Sequence, residues 1–232
     1  VESRFYTFMI QPGVVFSFSD KHHLGFNFEY YNIREDSEMD NVNIYVDQHY
    51  WYMYGLGTSV EKLGSGRTTN YNGNSIGGAF QYNYQGSINL MFSGSYSKRV
   101  EDAEISFTNV QSNGTIEDQR VKANLEMYFN YTERYTSLIQ INYQRKDVDG
   151  IEYIQTYNST EDEAGYVTWY KSVRSTYQTD ALSFSYDLLK NWKEAYLWKI
   201  GLKVNYENNK EKYILPESRR EWENLKFGLQ GK

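Results

Sequence analysis

The sequence predicts an all-β chain: an up-and-down antiparallel transmembrane β-barrel, about nine strands of it here and part of a larger barrel. Three observations predict this. Apolar and polar residues alternate over long runs, the runs exceed an ordinary strand, and short joins alternate with long ones.

Alternation identifies the strands in order. The first pairs Val14, Phe16 and Phe18 with Val15, Ser17 and Ser19. Leu24, Phe26, Phe28 and Tyr30 share a face, as do Ile76, Gly78, Phe80, Tyr82 and Tyr84. Ile88, Leu90, Phe92, Gly94 and Tyr96 oppose Asn89, Ser93, Ser95 and Ser97. In 121–131, Val121, Ala123, Leu125, Met127 and Phe129 alternate with Lys122, Asn124, Glu126, Tyr128 and Asn130. Ile139, Ile141 and Tyr143 alternate with Gln140, Asn142 and Gln144; Leu182, Phe184, Tyr186 and Leu188 with Ser183, Ser185 and Asp187. Trp198, Ile200, Leu202, Val204 and Tyr206 alternate with Lys199, Gly201, Lys203, Asn205 and Glu207, and Leu225, Phe227 and Leu229 close the series. A period of two puts unlike chemistry on opposite faces of a strand, whereas a helix would scatter it around its circumference.

Length and joins carry the membrane part of the reading. A strand rising about 3.3 Å per residue and tilted about 40° crosses a 25 Å apolar band in roughly ten residues. Soluble strands usually stop at about five or six. Residues 19–22, 85–87, 132–134 and 189–195 are short joins, and between them lie longer polar segments at 35–73, 100–118, 147–171 and 208–219. Outer-membrane barrels sort their loops this way, with tight periplasmic turns and long extracellular loops. On that orientation the first and last strands both run inward. Closed bacterial barrels have an even strand count, so the single barrel domain at 1–232 is expected to lack N-terminal strands.

Composition agrees. The 232 residues include 24 Tyr, 12 Phe and 5 Trp, 18% aromatic in all, against 40% hydrophobic content and a mean hydropathy of −0.75. Rings have displaced the aliphatic material of an ordinary core, as suits interfacial girdles. No run approaches the roughly 18 apolar residues of a membrane-spanning helix. Net charge is −6 with no basic cluster, so nucleic acid is not an expected partner. The absence of Cys removes thiol catalysis, disulfides and Cys-based zinc sites. Alternation is shared with lipocalin-like soluble barrels, whose apolar face is internal. Strand length, loop asymmetry and ring-rich stripe ends favour the membrane.

The stretch from Gln11 to His22, with Phe16-Ser17-Phe18-Ser19 running into Asp20-Lys21, resembles barrel strands of Bacteroidota outer-membrane proteins. Residues 71–78 and Gln81-Tyr82-Asn83-Tyr84-Gln85-Gly86 resemble the same group, a poorly characterised barrel family found near TonB-linked uptake systems. The resemblance covers most of the chain. It implies the outer membrane of a Gram-negative bacterium, lipid and lipopolysaccharide contact, and a TonB-dependent receptor or surface lipoprotein as partner. It supplies no catalytic residues. One departure is the end, Gly231-Lys232, where such barrels carry an aromatic residue.

Candidate sites are few. Tyr45, His49, Tyr50, Trp51, Tyr52 and Tyr54 fall in the longest expected extracellular loop. They would stack on a flat ligand, dock a partner, or pack together over the barrel mouth. His22 and His23 are adjacent on a strand or turn, so they point apart and make a poor metal pair. His49 has no nucleophile motif beside it, so neither enzyme activity nor a cofactor is expected. Glu117, Asp118 and the run Glu161-Asp162-Glu163 would be solvated or bridged by divalent ions to lipopolysaccharide phosphates. Mixed Lys122, Glu126, Lys199, Lys203 and Glu207 on the inward face fit a wet pore or a closed side-chain network equally. The expected function is therefore a non-enzymatic solute pore or barrel subunit of an uptake complex. The alternatives are a structural or surface-binding barrel contacting a partner or glycan, and a soluble ligand-binding barrel.

Overall fold

The computed structural model describes residues 2–40, 45–52, 60–64, 66–105, 110–132, 134–159, 164–192, 195–214 and 217–232. They form strands and no helix: β1 Glu2–Ile10, β2 Gly13–Ser19, β3 His22–Asp40, β4 Gln48–Tyr52, β5 Val60–Gly64, β6 Gly66–Tyr84, β7 Ile88–Ile105, β8 Gln111–Thr132, β9 Tyr135–Asn158, β10 Gly165–Trp192, β11 Ala195–Tyr213 and β12 Ser218–Gly231.

Ten of them make one antiparallel sheet in the order β1-β3-β6-β7-β8-β9-β10-β11-β12, with β2 also paired to β3. The strands β1 and β2 share one edge. Ile10 faces Tyr30, Gly13 faces Asn27, and the Phe28 N–H donates to the Pro12 carbonyl at 3.0 Å across the break. Proline has no N–H for a ladder, so the interruption falls where the sequence cannot continue one. Ten strand pieces thus occupy nine positions, and each position neighbours the next in the chain. The sheet is not closed: β1 with β2, and β12, are free edges.

Register aligns the two chemistries across the sheet. On one face Val14 lies opposite Phe26 and Phe26 opposite Phe80, whose ring meets Phe92 edge-on at 5.4 Å between centroids. Then come Leu125 opposite Phe92, Ile141, Phe184, Val204 and Phe227. On the other face, one residue away, run Gly25, Gln81, Ser93, Asn124, Asn142, Ser183, Asn205 and Lys226, each directly opposite the next. A one-residue slip in any strand would put its apolar set among the amides.

No second layer covers either face among the described residues, since element contacts join sheet neighbours. Ala103 is the one buried hydrophobic residue described, whereas Thr136, Ser137, Asp187 and Asn209 are almost fully buried. Phe28, Phe80, Phe92 and Leu202 remain exposed. Phe129, Ile141, Phe184 and Val204 are half-buried side by side on the ring-bearing face, not sealed in an interior.

The strands are longer than alternation indicates. Most of the segments read as loops at 35–73, 100–118, 147–171 and 208–219 are strand: β7 runs to Ile105 and β8 starts at Gln111, while β9 and β10 extend to Asn158 and from Gly165. Polar pairs hold these extensions. Thr115 donates to Asp102, Lys98 Nζ lies 2.5 Å from Glu117, and Arg120 pairs with Asp118. With polar residues on both faces, a continuing ladder leaves no apolar period to read.

Candidate functional site

The predicted aromatic loop is a hairpin. Residues Gln48–Tyr52 pair antiparallel with Val60–Gly64 and form a two-stranded sheet separate from the main one. His49 faces Leu63 and Trp51 faces Glu61, so these four share a side, while Tyr50 belongs to the other. His49 Nδ1 lies 2.5 Å from Glu61 Oε1. Trp51 and Leu63 are each about two-thirds exposed, and Tyr45, just before β4, is 91% exposed. Of the predicted residues, His49 and Trp51 therefore share one side of the hairpin and Tyr50 belongs to the other, while Tyr54 lies outside the described residues.

The adjacent histidines separate as a strand requires: His22 Nδ1 meets the Tyr82 hydroxyl at 2.7 Å, and His23 Nδ1 meets Ser17 Oγ at 2.9 Å. Glu117 and Asp118 likewise separate. The former takes Lys98, which holds its carboxyl below the ordinary range, and the latter takes Arg120. Burial pushes the nearby Asp149 carboxyl upward, reinforced by Glu117 and Asp147. Glu161, Asp162 and Glu163 lie outside the described residues.

The polar face carries the more extensive arrangement. Asp187, buried on β10, accepts from Gln230 Nε2 at 2.8 Å and pairs with Lys199 Nζ at 2.9 Å. Gln140 donates to Glu126 at 2.8 Å and accepts from Ser185 at 3.2 Å. Higher up, Asn209 accepts from Thr179 and Tyr177 and donates to Glu207. Beside these clusters an open depression of about 360 Å³ is lined by Asn142, Gln144, Ser183, Asn205, Asn224 and Lys226, among others. Its amides lie beside the apolar Ala181 and Leu182, and Glu207 and Lys226 bring charges of opposite sign.

The opposite face carries a row of tyrosines at the upper rim of the apolar band. Tyr30 donates to Asn74 at 2.9 Å, Tyr96 to Gln119 at 3.2 Å and Tyr143 to Asp180 at 3.0 Å. Each hydroxyl reaches away from the band to a polar residue one step beyond it. Near the lower rim, Tyr135 and Trp198 pack with centroids 6.2 Å apart. On β11 eight residue steps from Trp198 to Tyr206 separate the rims, which corresponds to about 20 Å at a 40° tilt.

A further aromatic group was not anticipated. Beyond Ile151 and Arg174 the strands β9 and β10 pair, among the described residues, with each other alone. Ile154, Val167, Trp169 and Tyr170 are exposed there. Period counting misses them because Trp169 occupies a bulge between Thr168 and Tyr170. The usable signal was the density of strand-forming residues in 151–157 and 166–173.

The sequence matches a family described as one of unknown function (DUF6850) over residues 1–232. No curated protein matches it.

Proposed function

Because the chain belongs to the DUF6850 family, whose function is unknown, we propose from its physical chemistry that it is a piece of an outer-membrane β-barrel. Its ring-bearing face meets lipid, its amide-rich face lines an aqueous passage for small solutes, and it is not an enzyme. The observation that carries this reading is the unbroken apolar band across nine strand positions, with no covering layer among the described residues, opposite a face of polar residues.

Magnitude decides between water and lipid. About a dozen large apolar side chains on the band keep roughly half their surface exposed, and each forgoes about 1 kcal/mol in water. The total, about 10 kcal/mol, equals the whole stability of a typical domain. In hydrocarbon the same surface carries no such cost. The rim-to-rim height of about 20 Å approaches the ~25 Å apolar band of outer-membrane barrels, and tyrosine hydroxyls at its upper edge suit the headgroup level. Closure into a barrel satisfies the free edges, because unpaired backbone groups cost several kcal/mol each in hydrocarbon.

The resemblance to Bacteroidota barrels supports the outer membrane of a Gram-negative bacterium, with lipid and lipopolysaccharide around the band. It also supports a second reading, a barrel subunit beside a TonB-dependent receptor or surface lipoprotein, which the projecting hairpin and ribbon favour. Fractionation tests the first point: the protein is expected in outer membranes, released by detergent and not by alkaline carbonate. Recovery in aqueous buffer without detergent refutes it. Stepwise conductance in planar bilayers supports the pore; a sealed bilayer at matched protein incorporation supports the subunit.

A further inference from the structure

Above the tyrosine rim the ring-bearing face turns polar. The ladders from β3 to β6 and from β6 to β7 run there without a register shift, so every second residue keeps its face. Asp36 lies directly opposite Asn70, and Asn70 directly opposite Glu104, in one row across three strands. Directly paired side chains stand about 5 Å apart, so the longer carboxylate arm of Glu104 and that of Asp36 flank the amide from both sides. Asn70 is 7% exposed, and its Oδ1 is buried without a donor among the described residues. A buried acceptor left without a donor is costly, and the neighbours on either side of this one are acceptors as well.

The two carboxylates are not used up. Arg34 Nε donates to Asp36 Oδ1 at 3.3 Å, which leaves the second oxygen. Arg4, opposite Asp36 on β1, is held by Glu2 at 2.6 Å. Glu104 has no ion pair or side-chain hydrogen bond among the described residues. The other charges on this face of β1, β3 and β7 add acid rather than base: Glu38 stands two residues beyond Asp36 and Asp102 two residues before Glu104, while Lys98, lower on β7, is taken by Glu117.

We propose that Asp36, Asn70 and Glu104 bind one divalent cation of the calcium class. The cation supplies the positive partner that the Asn70 oxygen lacks. The donors are all hard oxygens, with neither imidazole nor thiolate among them, which selects against the softer transition metals. Calcium takes about six to eight oxygens in a flexible arrangement, whereas magnesium demands a near-ideal octahedron that three side chains on rigid neighbouring strands do not preset. Two bidentate carboxylates and one amide oxygen supply up to about five positions, and water fills the rest. Two carboxylates put the site at the weak end, with a dissociation constant of about 10⁻⁴–10⁻³ M.

Isothermal titration of the whole chain with calcium chloride, after chelator treatment, tests this. One saturable site in that range is expected. Asn70→Ala, which removes the oxygen and leaves every charge, should weaken binding about tenfold, and Glu104→Gln at least as much. Asp36→Asn carries the same expectation should Glu104→Gln disturb the strand, with strand content followed by circular dichroism. Glu223→Gln, an acid at the far end of the same face on β12, should bind as the parent does. Absence of saturable binding at about tenfold above the expected range, an Asn70→Ala chain with the parent's affinity, or an equal loss in Glu223→Gln overturns the proposal. The site lies outside the apolar band, so its failure and failure of the pore reading, which conductance and detergent dependence decide, are read separately.

Discussion

Replacing Gly201 with alanine tests whether the polar face is held by a specific arrangement. Gly201 lies on β11 directly between Asp187 on β10 and Gln230 on β12. The Asp187 carboxylate is folded over it, and a Cβ at 201 would overlap Asp187 Oδ1 and come within 2.8 Å of Gln230 Nε2. These are not loose ends that can swing aside. Asp187 is 3% exposed and bonded by Lys199 and Gln230. Ejecting it forfeits two charge-assisted hydrogen bonds and leaves Lys199 without its carboxylate, which together cost about 2–4 kcal/mol. The assay is urea unfolding from lipid vesicles, followed by tryptophan fluorescence. Gly228→Ala is the control, since nothing lies within 4 Å of its Cβ position, and it should stay within about 0.5 kcal/mol of the parent. With Asp187→Ser already present, the cost of Gly201→Ala should fall below about 1 kcal/mol. Strictly additive losses, or a Gly201→Ala chain as stable as the parent, would refute the argument.

Leu125 sits mid-band between Phe92 and Ile141. Leu125→Lys should cost about 2–4 kcal/mol in vesicles, and Asn124→Lys on the amide face about 0.5 kcal/mol or less; equal costs would show that the two faces meet the same medium. Glu117 has its carboxyl lowered by Lys98, so their pair stabilises above the ordinary carboxylate range and is lost as pH falls through the lowered value. Lys98→Met should remove that acid-side loss, at most about 1 kcal/mol, and an unchanged pH profile would count against it. Asp149 is raised by burial, which has the opposite sign: stability declines as pH rises through the raised value. Asp149→Asn should therefore be more stable than the parent at neutral pH, with the difference closing in acid, as pH-dependent unfolding would read. Gly94→Ala should be destabilising by about 1–3 kcal/mol, because its Cβ would meet the Phe80 ring; melting temperatures in detergent check it.

Strand faces were legible wherever one side is apolar. Leu182, Phe184, Tyr186 and Leu188 fall on the expected face of β10, and the nine expected strands correspond to nine positions in the sheet. Three features were not legible, each for a physical reason. Residues 100–105 and 147–158 continue as strand because cross-strand polar pairs sustain the ladder, and such pairs have no contrast between faces. The bulges after Thr168 and Val173 change the phase of the count, so Trp169 and its neighbours do not read as one group. The aromatic segment around Trp51 was read chiefly as loop, because its partner strand Val60–Gly64 has just two apolar residues, Val60 and Leu63, three apart and so out of a period of two. Tyr45 and Trp51 are exposed and Tyr50 is half-buried, but which residues share a side depends on pairing that composition does not encode.

The two free edges run in the same direction, because an antiparallel meander of nine positions begins and ends on the same heading. Joining them directly would create the only parallel ladder in an otherwise antiparallel ring, with slanted bonds that are slightly weaker per residue. An odd number of intervening strands would restore the antiparallel pattern, and an even number would not. In the proposed barrel the seam thus has a parity, and a line of faster-opening amide protons across it, read by hydrogen exchange, would report whether an odd or an even number of strands intervenes.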